Sequence, residues 1–318
     1  MLFRSEYNLM SHGRMLRDPQ RVGSYLEALR DHVSPDMVVL EIGTGIGFFA
    51  VAAAKLGAEE VIAVEIDSSV YVAKGVADAN DVSDTIVFYR GSSLDLELEQ
   101  KANLVISDLR GVLPFYGEHL RIIIDARERL TTPDAVFIPK CDDLLVSLAT
   151  SNYAYSMFDE PWNKPINGID LTFARPFAVN SWSTVNASAD TLLTEAKIWA
   201  RLNYSTLTEP DARGEVTLTV VKEGEAHGLI VWFDAIISSG VCFSNAPGTL
   251  LSAYGQAFFP IENPVQVKPG DQIEVKLSAQ SFEDDYVWSW ETVFHRQDQE
   301  ILHFRQSTVR GWTLPPAP

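Results

Sequence analysis

Cysteine is scarce in this chain: Cys141 and Cys242 are the only two in 318 residues. A disulfide framework and a thiolate zinc motif are thereby excluded, and two free thiols suit a reducing cytosol. Basic residues are also few. Lys and Arg number 25 against 43 Asp and Glu, for a net charge of −18. Such a balance repels the phosphate backbones that nucleic-acid binders grip through Lys and Arg, so DNA and RNA are not expected as partners. Long apolar runs are missing too. The most apolar one, Ile46 to Ala54, ends at Lys55, far short of the ~20 residues that span a bilayer. The first residues, Met1 to Glu6, lack the charged-then-apolar pattern of a signal peptide. There is no internal repeat, and the only low-complexity tract is the Pro-rich last four residues. The expectation is a soluble cytoplasmic protein without a membrane partner or a metal.

A hydrophobic fraction of 46% and 10% aromatics leave ample material for a packed core. Up to about residue 140, short apolar strands alternate with helical stretches. Val38-Val39-Leu40, Val61 to Val64, Ile86 to Tyr89 and Leu104 to Ile106 read as strands; Phe48 to Leu56, Ser69 to Ala79 and Leu120 to Leu130 read as helices. Strands that are apolar throughout and separated by helices indicate a parallel sheet covered on both faces, a doubly wound α/β domain. After Pro139 the pattern changes to period-two runs with hairpin-like turns: Glu215 to Val220, then Leu229 to Phe233, and Gln272 to Leu277, then Tyr286 to Trp290. An antiparallel sandwich or barrel follows. The expected division is residues 1–140 for a Rossmann-like domain with N-terminal helices and 141–318 for a β-barrel domain. Within the latter, residues 151–183, rich in aromatics, Asn and Pro, read as an arm.

Glu41-Ile42-Gly43-Thr44-Gly45-Ile46-Gly47 follows one strand and opens a helix. Glycines there let the backbone pass close to a ligand at a helix N-terminus. The spacing is G-x-G-x-G, whereas the dinucleotide fingerprint wants a third glycine where Phe48 stands, which disfavours a nicotinamide or flavin cofactor. Glu65 ends the next strand, 22 residues past Gly43, where a carboxylate can accept from both ribose hydroxyls of an adenosine cofactor.

With these residues in view, the chain resembles class I S-adenosylmethionine-dependent methyltransferases, and more narrowly the protein arginine methyltransferase family. The resemblance is carried by Val39 to Gly47 with the helix Ala52 to Ala58, by His12, Met15, Asp18 and Arg21 upstream, and by Gly228-Leu229-Ile230-Val231-Trp232-Phe233-Asp234 downstream. It implies S-adenosylmethionine as cofactor, S-adenosylhomocysteine as product, and a homodimer built through the arm. It also implies roles. His12, Met15, Arg21, Gly43, Gly45, Gly47, Glu65, Ser92 and Ser93 would form the cofactor site, with Arg21 on the methionine carboxylate, Glu65 on the ribose, and Ser92 and Ser93 at the adenine.

The acceptor loop departs from the family. Two glutamates embrace the target guanidinium there; in Ser107 to His119, Asp108 falls on the first and Gly117 on the second, with Glu118 one residue late. On a helix one residue is a rotation of about 100°, so Glu118 does not simply replace the missing group. The family's Thr-His-Trp loop falls on Ser252-Ala253-Tyr254, which lacks the histidine that braces the aspartate matched by Asp18. The substrate-helix tyrosine falls on Glu6, beside Tyr7. Candidate catalytic residues are Asp108, Glu118 and His119, orienting the acceptor or taking its proton. Asp108 could instead merely cap the next turn, and Glu118 and His119 could be a solvated face. Trp162, Trp182, Trp288 and Trp290 read as packing. The acceptor is expected to be a nitrogen of arginine, of a guanidine or amine metabolite, or of a peptide, cationic acceptors being favoured by the acidic surface. The alternatives are a non-catalytic S-adenosylmethionine-binding scaffold and an O-methyltransferase of a small metabolite.

Overall fold

A computed structural model describes residues 8–249 and 253–309. Glu6, Tyr7 and Ser252 therefore lie outside the described residues. Two short helices come first, α1 (Leu9–Leu16) and α2 (Pro19–His32). Asp18 caps α2, its carboxylate accepting from the Arg21 amide, and Pro19 takes the first turn, where a missing N–H is harmless. One face of α2 is buried, at Arg21, Ser24, Tyr25, Ala28 and Leu29, which is the i, i+3, i+4 stripe of a helix laid on a core.

The parallel sheet holds β1 (Val38–Ile42), β2 (Glu60–Glu65), β3 (Ile86–Arg90), β4 (Ala102–Ser107) and β5 (Thr131–Ile138), in the order β3-β2-β1-β4-β5. Helices α3 (Phe48–Lys55), α4 (Val70–Asp78) and α5 (His119–Asp125) connect its strands, α5 running on as a π-helical turn over Ala126–Leu130. Strands β1, β2 and β4 are almost wholly buried, as their unbroken apolar sequences require. The strand order reverses between β1 and β4, so the crevice beyond their carboxyl ends is the expected ligand position of an open α/β sheet.

Antiparallel structure begins at β6 (Cys141–Ala149). Helices α6 (Asn152–Asp159) and α7 (Arg175–Ala178) lie in the excursion expected as an arm, tied by Arg175 to Asp159 (2.6 Å) and to the carbonyl of Glu262 (2.8 Å). Strands β7 (Ser183–Val185), β8 (Lys197–Asn203), β9 (Ala212–Thr219), β10 (Gly224–Ser238), β11 (Val241–Ser244), β12 (Gln256–Val267), β13 (Gln272–Phe282), β14 (Asp285–Arg296) and β15 (Gln299–Ser307) follow. One sheet runs β7-β12-β10-β6-β8 with β11 on β10; the other runs β15-β14-β13-β9. Between them Phe115, Trp199, Phe259, Trp288 and Trp290 interlock, with ring centroids 5.0 to 6.1 Å apart. Gly214 brings β9 against β8: a Cβ there would stand 1.8 Å from the Trp199 carbonyl oxygen, so only glycine admits the approach.

One sequence expectation is corrected here. The run Glu215 to Val220 and the run Leu229 to Phe233 do not form a hairpin, because β9 pairs with β13 while β10 pairs with β6, β11 and β12. Period-two alternation assigns a side chain to a face; it does not choose the neighbouring strand. The other pair, β13 and β14, is a tight hairpin closed at Phe282 and Asp285, with Glu283 at φ 52° in its turn.

Candidate active site

The crevice at the switch point is lined by the glycine loop after β1 and by Asp108, the residue that follows β4. Gly43, Gly45 and Gly47 all hold positive φ. At Gly45 a Cβ would come within 2.7 Å of the His12 ring, so the loop is a cradle that a side chain would fill. Glu65 is buried at the end of β2. Its Oε2 accepts from the Gly45 amide at 2.7 Å and its Oε1 from the Asp67 amide at 3.1 Å, which fixes the carboxylate against the loop. The carbonyl of Glu65 accepts from the Gly91 amide (2.9 Å), drawing the turn that carries Ser92 and Ser93 alongside. Ser92 caps that turn through Leu94, and Ser93 is buried. Met15 lies half-buried on α1 with His12. Glu41 is buried under the loop; loss of solvent pushes its carboxyl up to about 8, against a 2.6 Å hydrogen bond from Thr44.

Arg21 reaches this crevice from α2. Its Nε donates to Asp108 Oδ2 at 2.5 Å and lies 3.0 Å from the Tyr254 hydroxyl, while its guanidinium packs over Phe49. Among the described residues its ion pair and hydrogen bonds run through Nε, which leaves both Nη groups for a ligand carboxylate. A cradle of glycines, an acid for ribose and a guanidinium with an open edge fit S-adenosylmethionine.

Asp108 is held from three sides. Arg21 and the Tyr254 hydroxyl (2.7 Å) donate to Oδ2, and Arg110 Nε donates to Oδ1 at 3.0 Å; only 7% of the side chain is exposed. Burial alone would raise its carboxyl, but the two guanidiniums and the Tyr254 hydrogen bond hold it far below the usual carboxylate range. Arg110 is wholly buried and continues the network, donating to Asp142 Oδ1 (2.7 Å) and to the Tyr25 hydroxyl (2.8 Å), with Tyr204 donating to Asp142 Oδ2 at 2.5 Å. Its guanidinium lies over Phe233, 4.8 Å from the ring centre.

The other two candidate catalytic residues stand apart from this cluster's hydrogen bonds. Glu118 is partly exposed and pairs with Arg121 at 3.0 Å. His119 is buried; its Nδ1 donates to the Pro114 carbonyl at 3.0 Å, and burial pushes the imidazole down to about 4, so it is neutral. Gly117 sits in the left-handed region at φ 51°, so the loop turns sharply just before Glu118. The participants not singled out from the sequence are Arg110, Tyr25, Asp142 and Tyr204. For Arg110 a signal existed: an arginine two residues from a carboxylate assigned to a guanidinium.

Comparison with known proteins places this geometry. Residues 24–115 match the family model described as "Ribosomal protein L11 methyltransferase (PrmA)", and residues 146–296 match "Arginine methyltransferase oligomerization subdomain". The chain is an arginine-methyltransferase-like protein of the S-adenosylmethionine-dependent class. It is 27% identical over 284 residues to protein arginine N-methyltransferase 1 of Saccharomyces cerevisiae, covering 84% of this chain and 79% of that protein. It is also 27% identical over 286 residues to the arginine N(omega)-methyltransferase of Streptomyces achromogenes, covering 85% and 76%. Among solved structures, the Trypanosoma brucei PRMT1 enzyme-prozyme heterotetrameric complex with AdoHcy matches with a TM-score of 0.86 at 23% identity, over 93% of this chain and 96% of that one. Arabidopsis thaliana protein arginine methyltransferase 10 matches with a TM-score of 0.82 at 20% identity, over 95% and 98%. These two likenesses show the fold: a doubly wound parallel-sheet domain followed by antiparallel sheets.

Proposed function

We propose that this arginine-methyltransferase-like chain moves a methyl group from S-adenosylmethionine to a nitrogen, on arginine, a guanidine or amine metabolite, or a peptide. The observation that carries the reading is Arg21, which packs over Phe49 in the helix that follows the glycine loop and bonds Asp108 through Nε, with neither Nη bonded among the described residues. When bound, the cofactor supplies an electrophilic methyl on a sulfonium. Arg21 binds its carboxylate, Glu65 its ribose, and the turn at Ser92 and Ser93 its adenine edge. Asp108 fixes Arg21, and Glu118, partly exposed and paired with Arg121, is assigned the proton that the acceptor nitrogen releases. Neutral, buried His119 supports the loop at Pro114. Mass spectrometry of an acceptor panel incubated with methyl-labelled cofactor tests this: label on nitrogen agrees, and label confined to oxygen or carbon overturns it.

The division at residue 140, a cytoplasmic location and a homodimer belong to the same proposal. Tyr153, Met157, Ile169 and Phe173 expose apolar surface on the arm, which supports pairing there; a monomer by light scattering at micromolar concentration contradicts it. One observation favours a second reading, a scaffold that binds cofactor without turnover: both Asp108 oxygens are engaged within the chain, and Gly117 stands at the second acid position. Tight S-adenosylhomocysteine binding with no turnover on any acceptor would select it.

A further inference from the structure

We propose that Arg110 sets acceptor choice, as a resident guanidinium that occupies the carboxylate an incoming guanidinium would need. The inference rests on the methyl-transfer reading and names the acceptor class for that site: an amine nitrogen in preference to a guanidine.

A carboxylate grips a guanidinium by two parallel hydrogen bonds, one to each oxygen, and that fork gives both strength and orientation. Asp108 has no such pair to offer. Arg21 and Tyr254 stand on Oδ2, and Arg110 stands on Oδ1. Arg110 is itself locked: Asp142 and the Tyr25 hydroxyl each accept from one of its Nη groups, aromatic rings cover its face, and none of its side chain is exposed. It does not swing aside for a ligand.

Charge leads to the same conclusion. Two guanidiniums, Arg21 and Arg110, face two carboxylates, Asp108 and Asp142, in one buried network. A third guanidinium arriving at Asp108 meets like charge with no carboxylate unspent, and desolvation magnifies the penalty. A primary amine has no planar fork to satisfy and, with an ordinary pKa of about 10 against more than about 12 for a guanidine, gives up its proton far more readily, so it makes a smaller demand on Asp108. Arg110 is thus a positioning residue, acting on the acceptor through Asp108.

The test uses the full chain loaded with S-adenosylhomocysteine and two probes of similar length, agmatine and a five-carbon diamine, titrated calorimetrically. The variant is R110M/D142N, which removes both members of the buried pair and leaves Tyr204 an acceptor. Agmatine should bind the variant about tenfold more tightly than the wild type, the scale of one freed charge-assisted hydrogen bond, while the diamine changes much less. Equal shifts for both probes, as a merely structural role would give, or no shift for agmatine overturn the proposal. Should the variant fail to bind S-adenosylhomocysteine, the wild type decides: the diamine should bind better than agmatine, and the reverse order overturns the proposal. If the methyl-transfer reading fails instead, neither protein turns over any acceptor, yet the shift in agmatine binding persists.

Discussion

The backbone amide of Ala253 donates to Asp18 Oδ2 at 3.0 Å, across 235 residues of chain. Ala253 stands where the resemblance places a histidine that braces this aspartate, so a main-chain donor makes the contact that the sequence lacks. The other oxygen of Asp18 caps α2. One carboxylate therefore fastens the helix that carries Arg21 to the loop that carries Tyr254.

Replacing Asp18 by Ala removes the cap and the tether together. The expected cost is about 1–2 kcal/mol of stability, with weaker S-adenosylhomocysteine binding because Arg21 loses its register. Chemical denaturation and cofactor titration measure both. Unchanged cofactor affinity would show that the tether does not position Arg21.

From the sequence, Asp108→Asn should lower turnover and spare cofactor affinity. The structure changes that expectation. Asparagine leaves Arg21 and Arg110 without the charge between them, a loss of about 3–5 kcal/mol for a buried network. Stability and cofactor affinity should therefore fall along with turnover. A variant of wild-type stability that binds cofactor normally would contradict the network's role.

Gly45→Ala combines a left-handed φ of 56° with a Cβ 2.7 Å from the His12 ring. Strain of about 1–2 kcal/mol falls on the cofactor loop, so S-adenosylhomocysteine affinity should drop about tenfold or more while the far-ultraviolet circular dichroism is unchanged. Retained affinity would place the cofactor elsewhere.

Stability should depend on pH through two buried groups of opposite sign. His119 stays neutral down to about 4, whereas the unfolded chain protonates it near 6.5. Its stabilisation is present above pH 6.5 and is lost as pH falls toward 4, by about 3 kcal/mol. Glu41 is held protonated up to about 8 against an ordinary 4.5, so stability decreases as pH rises from 4.5 toward 8. Urea midpoints across this range should show the acid limb flattened in His119→Gln, which keeps a donor for Pro114, and the alkaline decline flattened in Glu41→Gln. Unaltered limbs would assign the dependence to other groups.

Local elements were legible in the sequence because each wrote its own period. The unbroken apolar runs gave parallel strands, the glycines after Ile42 marked a cradle, and the tight turn after Phe282 closed a hairpin. What the sequence withheld is pairing at a distance. Nothing near Arg110 announces Asp142, 32 residues on, and nothing near Arg21 announces Tyr254, 233 residues on. Likewise nothing between β9 and β10 says that the chain changes sheets there. Such partners are chosen by tertiary packing, as Arg110 in the acceptor loop is held by Asp142 and Tyr25 from distant elements.

Acceptor-dependent formation of S-adenosylhomocysteine tests the central claim most directly. The purified chain is incubated with S-adenosylmethionine alone and then with amine and guanidine acceptors in turn. The account predicts product release that requires a nitrogen acceptor, is faster with the amine, and is abolished in Arg21→Ala. S-adenosylmethionine bound tightly and recovered unchanged with every acceptor would contradict it.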